Sequence, residues 1–91
     1  VSLLYHEATF IDQDAELADK TQHSTAKQAA LIAKRAKTSM LILGHFSSRY
    51  GNTAVIINEA KEVFENTIAG IEGMVIDVES DQNKIEINIE I

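Results

Sequence analysis

Two short apolar runs with an alanine-rich segment between them constrain the fold of this chain more than any other feature. Residues 1–5 and residues 39–43 are each predicted to form a buried strand. Residues 25–37 repeat alanine at helical spacing and begin with the capping-box pair Thr25 and Gln28, which predicts a helix. Two such strands joined through a helix make a βαβ unit with parallel strands, so the sequence predicts an α/β fold.

The rest of the chain divides into shorter elements. Residues 12–20 are polar and are predicted as a short helix or a mobile loop. A second main helix is expected over about residues 53–65, followed by a short strand at 67–69. Residues 74–79 and 84–91 are predicted to pair as a hairpin, because isoleucine alternates with polar residues in the second of these runs.

Composition excludes several classes of protein. The 91 residues are 45% hydrophobic, which is normal for a globular chain, so residues 1–91 are predicted to form a single domain. The absence of cysteine excludes a disulfide scaffold and a thiolate zinc cluster, and it favours the reducing environment of the cytoplasm. No apolar run approaches the roughly 18 residues that a membrane span needs, so no membrane partner is expected.

Charge is distributed unevenly along the chain. The net charge of −6 argues against a general nucleic-acid binder. Residues 1–58, however, carry six basic and five acidic side chains, whereas residues 59–91 carry two basic and nine acidic ones. An anionic substrate is therefore expected at the near-neutral first part, with the acidic second part facing away from it.

Short polar signatures surround all three histidines of the chain. The signatures are His6-Glu7-Ala8-Thr9, His23-Ser24-Thr25 and His45-Phe46-Ser47-Ser48-Arg49-Tyr50. Each lies where a predicted strand or helix begins or ends. Parallel strands end at the same edge of a sheet, and open α/β sheets bind ligands at that edge, so we expect the signatures to contribute to one polar site.

His45 directly follows the second predicted strand, which would hold its imidazole rigidly. A neutral imidazole in that position is suited to metal binding, and the alternative is a histidine hydrogen-bonded to a neighbouring loop. The side chains of Ser47, Ser48 and Arg49 combine hydroxyls with a guanidinium, which suits a phosphate. The alternative is a solvated turn in which Arg49 pairs with an acidic side chain.

Glu7 and His23 are candidates for a coupled pair. Neighbouring residues in a strand point to opposite faces, so at most one of His6 and Glu7 faces the site. Glu7 is favoured, because a carboxylate orients a histidine and stabilises its protonated form. A protonated His23 before a helix is unfavourable unless an acid compensates it. The alternative for this signature is helix capping, which is the expected role of Ser24 and Thr25.

Taken together, the signatures resemble ribonuclease Z, the transfer-RNA 3′-processing endonuclease family of the metallo-β-lactamase superfamily. The matching segments are His6-Glu7-Ala8-Thr9-Phe10, Thr21-x-His23-Ser24-Thr25 with the alanine-rich helix, and Leu41-x-Leu43-x-His45-Phe46-Ser47-x-Arg49-Tyr50. The match extends specifically over the first three quarters of the chain, and the final hairpin fits loosely. The resemblance implies the C-terminal half of an αββα sandwich, with a mixed sheet, two main helices and a C-terminal hairpin.

The resemblance also implies a reaction and roles for single residues. Such an enzyme uses two zinc ions per subunit to cut precursor tRNA, leaving a 3′-hydroxyl on the tRNA, and the metals stabilise charge on the phosphoryl oxygens. By this resemblance His45 is expected to be a zinc ligand. Glu7 and His23 are expected to be the catalytic pair that helps to protonate the leaving 3′-oxygen.

Several parts of the family's site have no match in this chain. The resemblance places Arg49, with Ser47 and Ser48, in the phosphate-binding surface. It also implies that His6 is not a metal ligand. The family's main metal motif, His-x-His-x-Asp-His, is absent, as are its further histidine, its bridging aspartate and its tRNA-clamping arm. The chain also begins without Met in a strand-like run, so it is predicted to be a C-terminal fragment that is inactive alone and binds zinc weakly or through non-native contacts.

Other functions fit the same residues. A lone half sandwich leaves an apolar sheet face and strand edges uncovered, so the chain is expected to self-associate as a homodimer. The alanine stripe and the isoleucine-rich edge would also suit a non-catalytic self-associating module. A third alternative is another metallo-β-lactamase-fold hydrolase of small phosphodiesters or esters.

Overall fold

A three-stranded parallel sheet is the centre of the computed structural model, which describes residues 3–70, 74–79 and 84–89. Its strands are β1 (Leu3–Glu7), β2 (Met40–Gly44) and β3 (Thr67–Ala69), paired in the order β1-β2-β3. The α-helices are α1 (Ala15–Lys20), α2 (Ala26–Ala36) and α3 (Ala54–Lys61). Since α2 lies between β1 and β2 in the chain and α3 between β2 and β3, the predicted α/β class and its βαβ arrangement are confirmed.

The first strand extends further than the apolar run predicted. His6 and Glu7 belong to β1, because the backbone of β2 pairs with them through Leu43 and Gly44. Val1 and Ser2, which the prediction included in this strand, lie outside the described residues. Two short 3₁₀ helices, Asp12–Asp14 and Ser48–Tyr50, complete the loops that follow β1 and β2. Residues 12–20 are therefore helical, which is one of the two predicted states.

The alanine stripe allows α2 to pack closely against the sheet. Ala26, Ala29, Ala30 and Ala33 are fully buried, and α2 contacts both β1 and β2. Ala36, which the spacing placed in the same stripe, is exposed in the last turn.

The capping box at the start of α2 is confirmed. The Thr25 hydroxyl accepts from the Gln28 backbone N–H at 3.2 Å, and the Gln28 side-chain oxygen accepts from the Thr25 N–H at 2.9 Å. These bonds fix where the helix begins, and therefore where His23 lies just before it.

α3 closes the core but is shorter than predicted. Ile56 and Ala60 pack with Leu41 and Leu43 of β2 against α2, and all four are fully buried. The helix ends at Lys61, not near residue 65, because the chain has to reverse direction before β3 begins. Val63 and Phe64, which fall within the predicted range of this helix, still pack against the core from a turn in which their N–H groups donate to the Ala60 carbonyl.

The last two described strands form a separate sheet. β4 (Met74–Glu79) and β5 (Lys84–Ile89) pair antiparallel, from Met74 opposite Ile89 to Glu79 opposite Lys84. The turn residues 80–83 and the final residues 90–91 of the predicted hairpin lie outside the described residues. The strands of the main sheet that the structure describes are all parallel, so the mixed sheet stays a prediction. No helix within the described residues has the length and apolar character needed to cross a membrane.

Lys37 ends α2 in the left-handed region, with φ of 56° and ψ of 36°. Glycine adopts this conformation without the steric penalty of a Cβ. We expect Lys37→Gly to raise the free energy of unfolding by about 0.5–1 kcal/mol, measured by urea denaturation. Lys34→Gly, at an exposed interior position of the same helix, is the matched control and is expected to lower it by about 1 kcal/mol. A loss of stability in Lys37→Gly would contradict the assigned cap.

Candidate active site

The three histidine signatures lie at one edge of the main sheet, where β1 and β2 end side by side. Backbone hydrogen bonds join the loops that carry them. The Phe10 N–H donates to the Ser24 carbonyl at 3.3 Å, which ties the loop after β1 to the segment before α2. The Ser47 N–H donates to the Thr9 carbonyl at 3.0 Å, which ties the same loop to the segment after β2. The backbone therefore brings together the three signatures.

Glu7 is the polar centre of this edge. Its carboxylate accepts the Ser24 backbone N–H through Oε1, and it accepts the Thr9 N–H at 3.1 Å and the Thr9 hydroxyl at 2.8 Å through Oε2. Burial of the carboxyl would raise its pKa, but the hydrogen bonds from Thr9 and Ser24 outweigh this and lower the pKa of Glu7 below its ordinary value of 4.5. The group is therefore held as an acceptor with a negative charge.

His23 lies between the Glu7 carboxylate and the ring of His45. Its Nδ1 is 3.7 Å from Glu7 Oε2, which is an ion-pair distance when the imidazole is protonated. Its ring stacks on that of His45 with centroids 5.1 Å apart and an interplanar angle of 28°. Phe10 meets the His23 ring edge-on at 6.1 Å. These contacts hold the imidazole of His23 on three sides while leaving its side chain one-third exposed.

His45 adopts an unusual backbone conformation at the point where β2 ends. Its φ is +59°, in the left-handed region, which costs a non-glycine residue about 1–2 kcal/mol. Such strain persists only where neighbouring groups fix the conformation. Here the His45 Nδ1 lies 2.9 Å from the Thr9 hydroxyl, and the ring stacks on His23. The side chain is exposed, so its imidazole is held by the protein and accessible from outside it.

The donor atoms at this edge suit a metal ion. Glu7, His23 and His45 each offer one ligand atom, and these atoms lie within 4.8 Å of one another. Two imidazoles and a carboxylate are ligands that zinc accepts. Glu7 already accepts three hydrogen bonds, so the imidazole of His45 is the better ligand among them. His6 is not part of the group, and its Nδ1 lies 2.7 Å from the Glu7 carbonyl oxygen.

The segment after His45 presents a guanidinium to solvent. Arg49 has a half-exposed side chain, with Nη1 at 3.7 Å from Asp14 Oδ1 and its guanidinium carbon 5.7 Å from the centre of the Phe10 ring. The alternative prediction, in which Arg49 pairs with an acidic side chain, is therefore observed. Ser47 caps the short 3₁₀ helix by accepting the Arg49 N–H at 3.3 Å, and Ser48 is exposed. The phosphate-binding role of these three residues stays a prediction.

Sequence reasoning did not predict the side-chain hydrogen bonds that join the loops at this edge of the sheet. The Tyr50 hydroxyl donates to Asp14 Oδ2 at 2.6 Å and accepts the Ile11 N–H at 3.0 Å, which fastens the two loops to each other. Burial, together with the hydrogen bond to Asp14, raises the pKa of Tyr50. Asp14 and Tyr50 are far apart in the chain, so no spacing could have revealed the pair. Thr9 had a local signal, since a hydroxyl two residues after a carboxylate commonly donates to it.

Glu7→Gln tests whether the Glu7 carboxylate is ionised and hydrogen-bonded in the folded chain. Because the pKa of Glu7 is lower in the folded chain, the unfolded chain binds more protons as the pH falls through 4.5. The stabilisation from the ionised group is fully present above that pH and is lost as the pH falls through the folded pKa. We expect Glu7→Gln to be less stable than the parent near pH 7, and the difference to shrink as the pH falls below 4.5, measured by urea denaturation.

Glu16→Gln removes the same charge from the exposed surface of α1 and is the charge-matched control. A difference for Glu7→Gln that stays constant from pH 7 to pH 3 would contradict the ionised, hydrogen-bonded carboxylate.

Comparison with known proteins gives this chain close relatives. No family model matches it. A protein named ribonuclease Z from Cytophaga hutchinsonii is 55% identical over 73 residues, which cover 80% of this chain and 23% of that protein. Proteins of the same name from Parabacteroides distasonis and Porphyromonas gingivalis are 51% and 50% identical over 78 residues, which cover 86% of this chain and 26% of each.

The chain thus spans about a quarter of the length of the curated relatives it matches. Identity at this level over four fifths of the chain is too extensive to arise from the short signatures alone. It confirms the resemblance that those signatures indicated, and this chain is accordingly a homologue of one part of ribonuclease Z.

Proposed function

We propose that this chain is the C-terminal part of a zinc-dependent endoribonuclease that removes the 3′ trailer from precursor tRNA in the cytoplasm. The observation that carries the proposal is the convergence of Glu7, His23 and His45 at one sheet edge, with ligand atoms within 4.8 Å of one another. The name of the relatives supports a ribonuclease reaction. The α/β architecture is compatible with half of a metallo-β-lactamase αββα sandwich.

His45 is the proposed zinc ligand of this chain. Its exposed ring at the end of β2 faces out of the protein, where ligands from the rest of a longer enzyme could complete a two-metal centre. A bound metal would act there as a Lewis acid for the phosphodiester. One ligand does not make such a centre, so we propose that residues 1–91 alone have no nuclease activity.

Glu7 and His23 are the proposed proton-transfer pair. The carboxylate of Glu7 faces Nδ1 of His23 at 3.7 Å and orients the imidazole. The other ring nitrogen, Nε2, is then free to give its proton to the leaving 3′-oxygen of the tRNA. Protonation of that oxygen yields a 3′-hydroxyl, and the contacts of His23 with Phe10 and His45 keep the ring in place for the transfer.

Arg49, Ser47 and Ser48 are the proposed phosphate contacts. All three lie in the segment directly after His45, and the Arg49 side chain is half exposed. Its pairing with Asp14 at 3.7 Å is longer than a hydrogen bond, so a phosphate can compete for the guanidinium. The face of Phe10 supports the guanidinium plane in either arrangement.

A self-associating module is the second candidate function. One observation favours it: Tyr5 of β1 is 41% exposed on the sheet face opposite α2, whereas its neighbours across the sheet, Ile42 and Ile68, are fully and partly buried. A homodimer that covers Tyr5 would explain an exposed aromatic side chain at the edge strand of the sheet. We propose this association as a property of the chain that is compatible with the nuclease.

His23→Ala in the full-length protein separates the two functions. If His23 delivers a proton, its loss should lower kcat for precursor-tRNA cleavage by about 100-fold or more, with little change in thermal stability, because the side chain is one-third exposed. His6→Ala is the matched control, because His6 precedes Glu7 in β1 but does not belong to the group formed by Glu7, His23 and His45. Equal cleavage rates for the two variants would contradict the proton-transfer role and favour the module.

The isolated 91-residue chain tests the proposed incompleteness. After chelation and re-addition of zinc, it is expected to leave precursor tRNA uncut and to bind zinc weakly in a competition titration, because it supplies one proposed ligand. Light scattering of the same sample is expected to give the mass of a dimer. Cleavage under these conditions would contradict the assignment as a fragment, and a monomer at high concentration would contradict self-association.

A further inference from the structure

Thr9 occupies a position between the two parts of the candidate site. Its side chain is buried, with 7% of the residue exposed, and its hydroxyl touches both Glu7 and His45. The distances are 2.8 Å to Glu7 Oε2 and 2.9 Å to His45 Nδ1, both within hydrogen-bond range. A single hydroxyl therefore bridges the carboxylate of the proton-transfer pair and the proposed metal ligand.

The directions of these two hydrogen bonds follow from donor accounting. The Glu7 carboxylate acts as an acceptor on both oxygens, because Oε1 receives the Ser24 N–H and Oε2 receives the Thr9 N–H. The Thr9 hydroxyl has one hydrogen, which it gives to Glu7 Oε2. Its oxygen can then only accept from His45, so Nδ1 of His45 must carry a hydrogen.

We propose that Thr9 is a positioning residue that holds His45 in the Nδ1–H tautomer and thereby leaves the lone pair on Nε2. This inference rests on the proposed function and deepens it, because it names Nε2 of His45 as the atom that would bind the metal. Outer groups that accept the second N–H of a metal-binding histidine fix its tautomer and raise its basicity. Here the acceptor is a hydroxyl polarised by a carboxylate, so the charge of Glu7 acts on both His23 and His45.

The backbone around Thr9 is suited to this role. Its N–H donates to Glu7 and its carbonyl accepts the Ser47 N–H at 3.0 Å, so the residue is fixed from both sides. The left-handed conformation of His45 turns the chain so that Nδ1 meets the hydroxyl. Serine keeps the hydroxyl at this position, whereas valine keeps the shape and removes it.

The experiment is a tautomer measurement on the full-length protein labelled with ¹⁵N-histidine. Two-bond ¹⁵N–¹H correlations of the metal-free protein identify the protonated ring nitrogen, and a His45→Ala sample assigns the signals. We expect Nδ1–H in the parent and in Thr9→Ser, and in Thr9→Val the mixture of tautomers of an exposed histidine. An Nε2–H ring in the parent overturns the proposal, whatever the stability of the valine variant.

Zinc affinity, measured by chelator competition, gives the second readout. We expect Thr9→Val to bind zinc 10–100-fold more weakly than the parent, and Thr9→Ser to remain within a few-fold of it. A folded Thr9→Val with the parent's affinity overturns the proposal. If His45→Ala leaves zinc binding unchanged, the proposed metal site fails, while the tautomer measurement still decides the role of Thr9.

Discussion

The carboxylate of Glu7 is the interaction on which the candidate site depends. It accepts hydrogen bonds from the segment before α2 through Ser24 and from its own loop through Thr9, and it lies 3.7 Å from the imidazole of His23. A partly buried carboxylate is unfavourable unless several donors surround it, and here those donors come from different parts of the chain. The same group therefore joins the loops and sets the charge of the site.

That arrangement requires the start of α2 to lie close to the end of β1. Small side chains make this approach possible, since Ala26, Ala29, Ala30 and Ala33 are all fully buried against the sheet and α3. A larger residue in this stripe would move the helix away from the sheet, and with it the Ser24 N–H that Glu7 accepts. The packing of α2 in the core therefore also fixes the geometry of the site at the start of that helix.

The sequence was a good guide wherever a local pattern decides the structure. The capping box at Thr25 and the apolar run of β2 are decided by neighbouring residues, and both were predicted close to their observed limits. The end of α3 was wrong because it depends on where the chain must turn toward β3. The observed ion pair between Arg49 and Asp14 and the hydrogen bond from Tyr50 to Asp14 bring together residues 35 and 36 positions apart, which no spacing rule describes.

The three histidines show how much of the candidate site could be predicted from residue types and their positions in the chain. Their positions at element ends indicated a shared site, and the structure brings His23 and His45 into a stacked pair while His6 contacts the Glu7 carbonyl. The alternation of side chains in a strand had limited the site to one of His6 and Glu7, and Glu7 was favoured because a carboxylate orients a histidine. Alternation could not predict the left-handed backbone conformation of His45, which directs its ring toward Thr9. The His45 ring is held by a hydroxyl and a second imidazole, and its backbone is strained. Strain of this kind concentrates at sites that bind a ligand or carry out chemistry, so the backbone of His45 is itself an observation in favour of the candidate site.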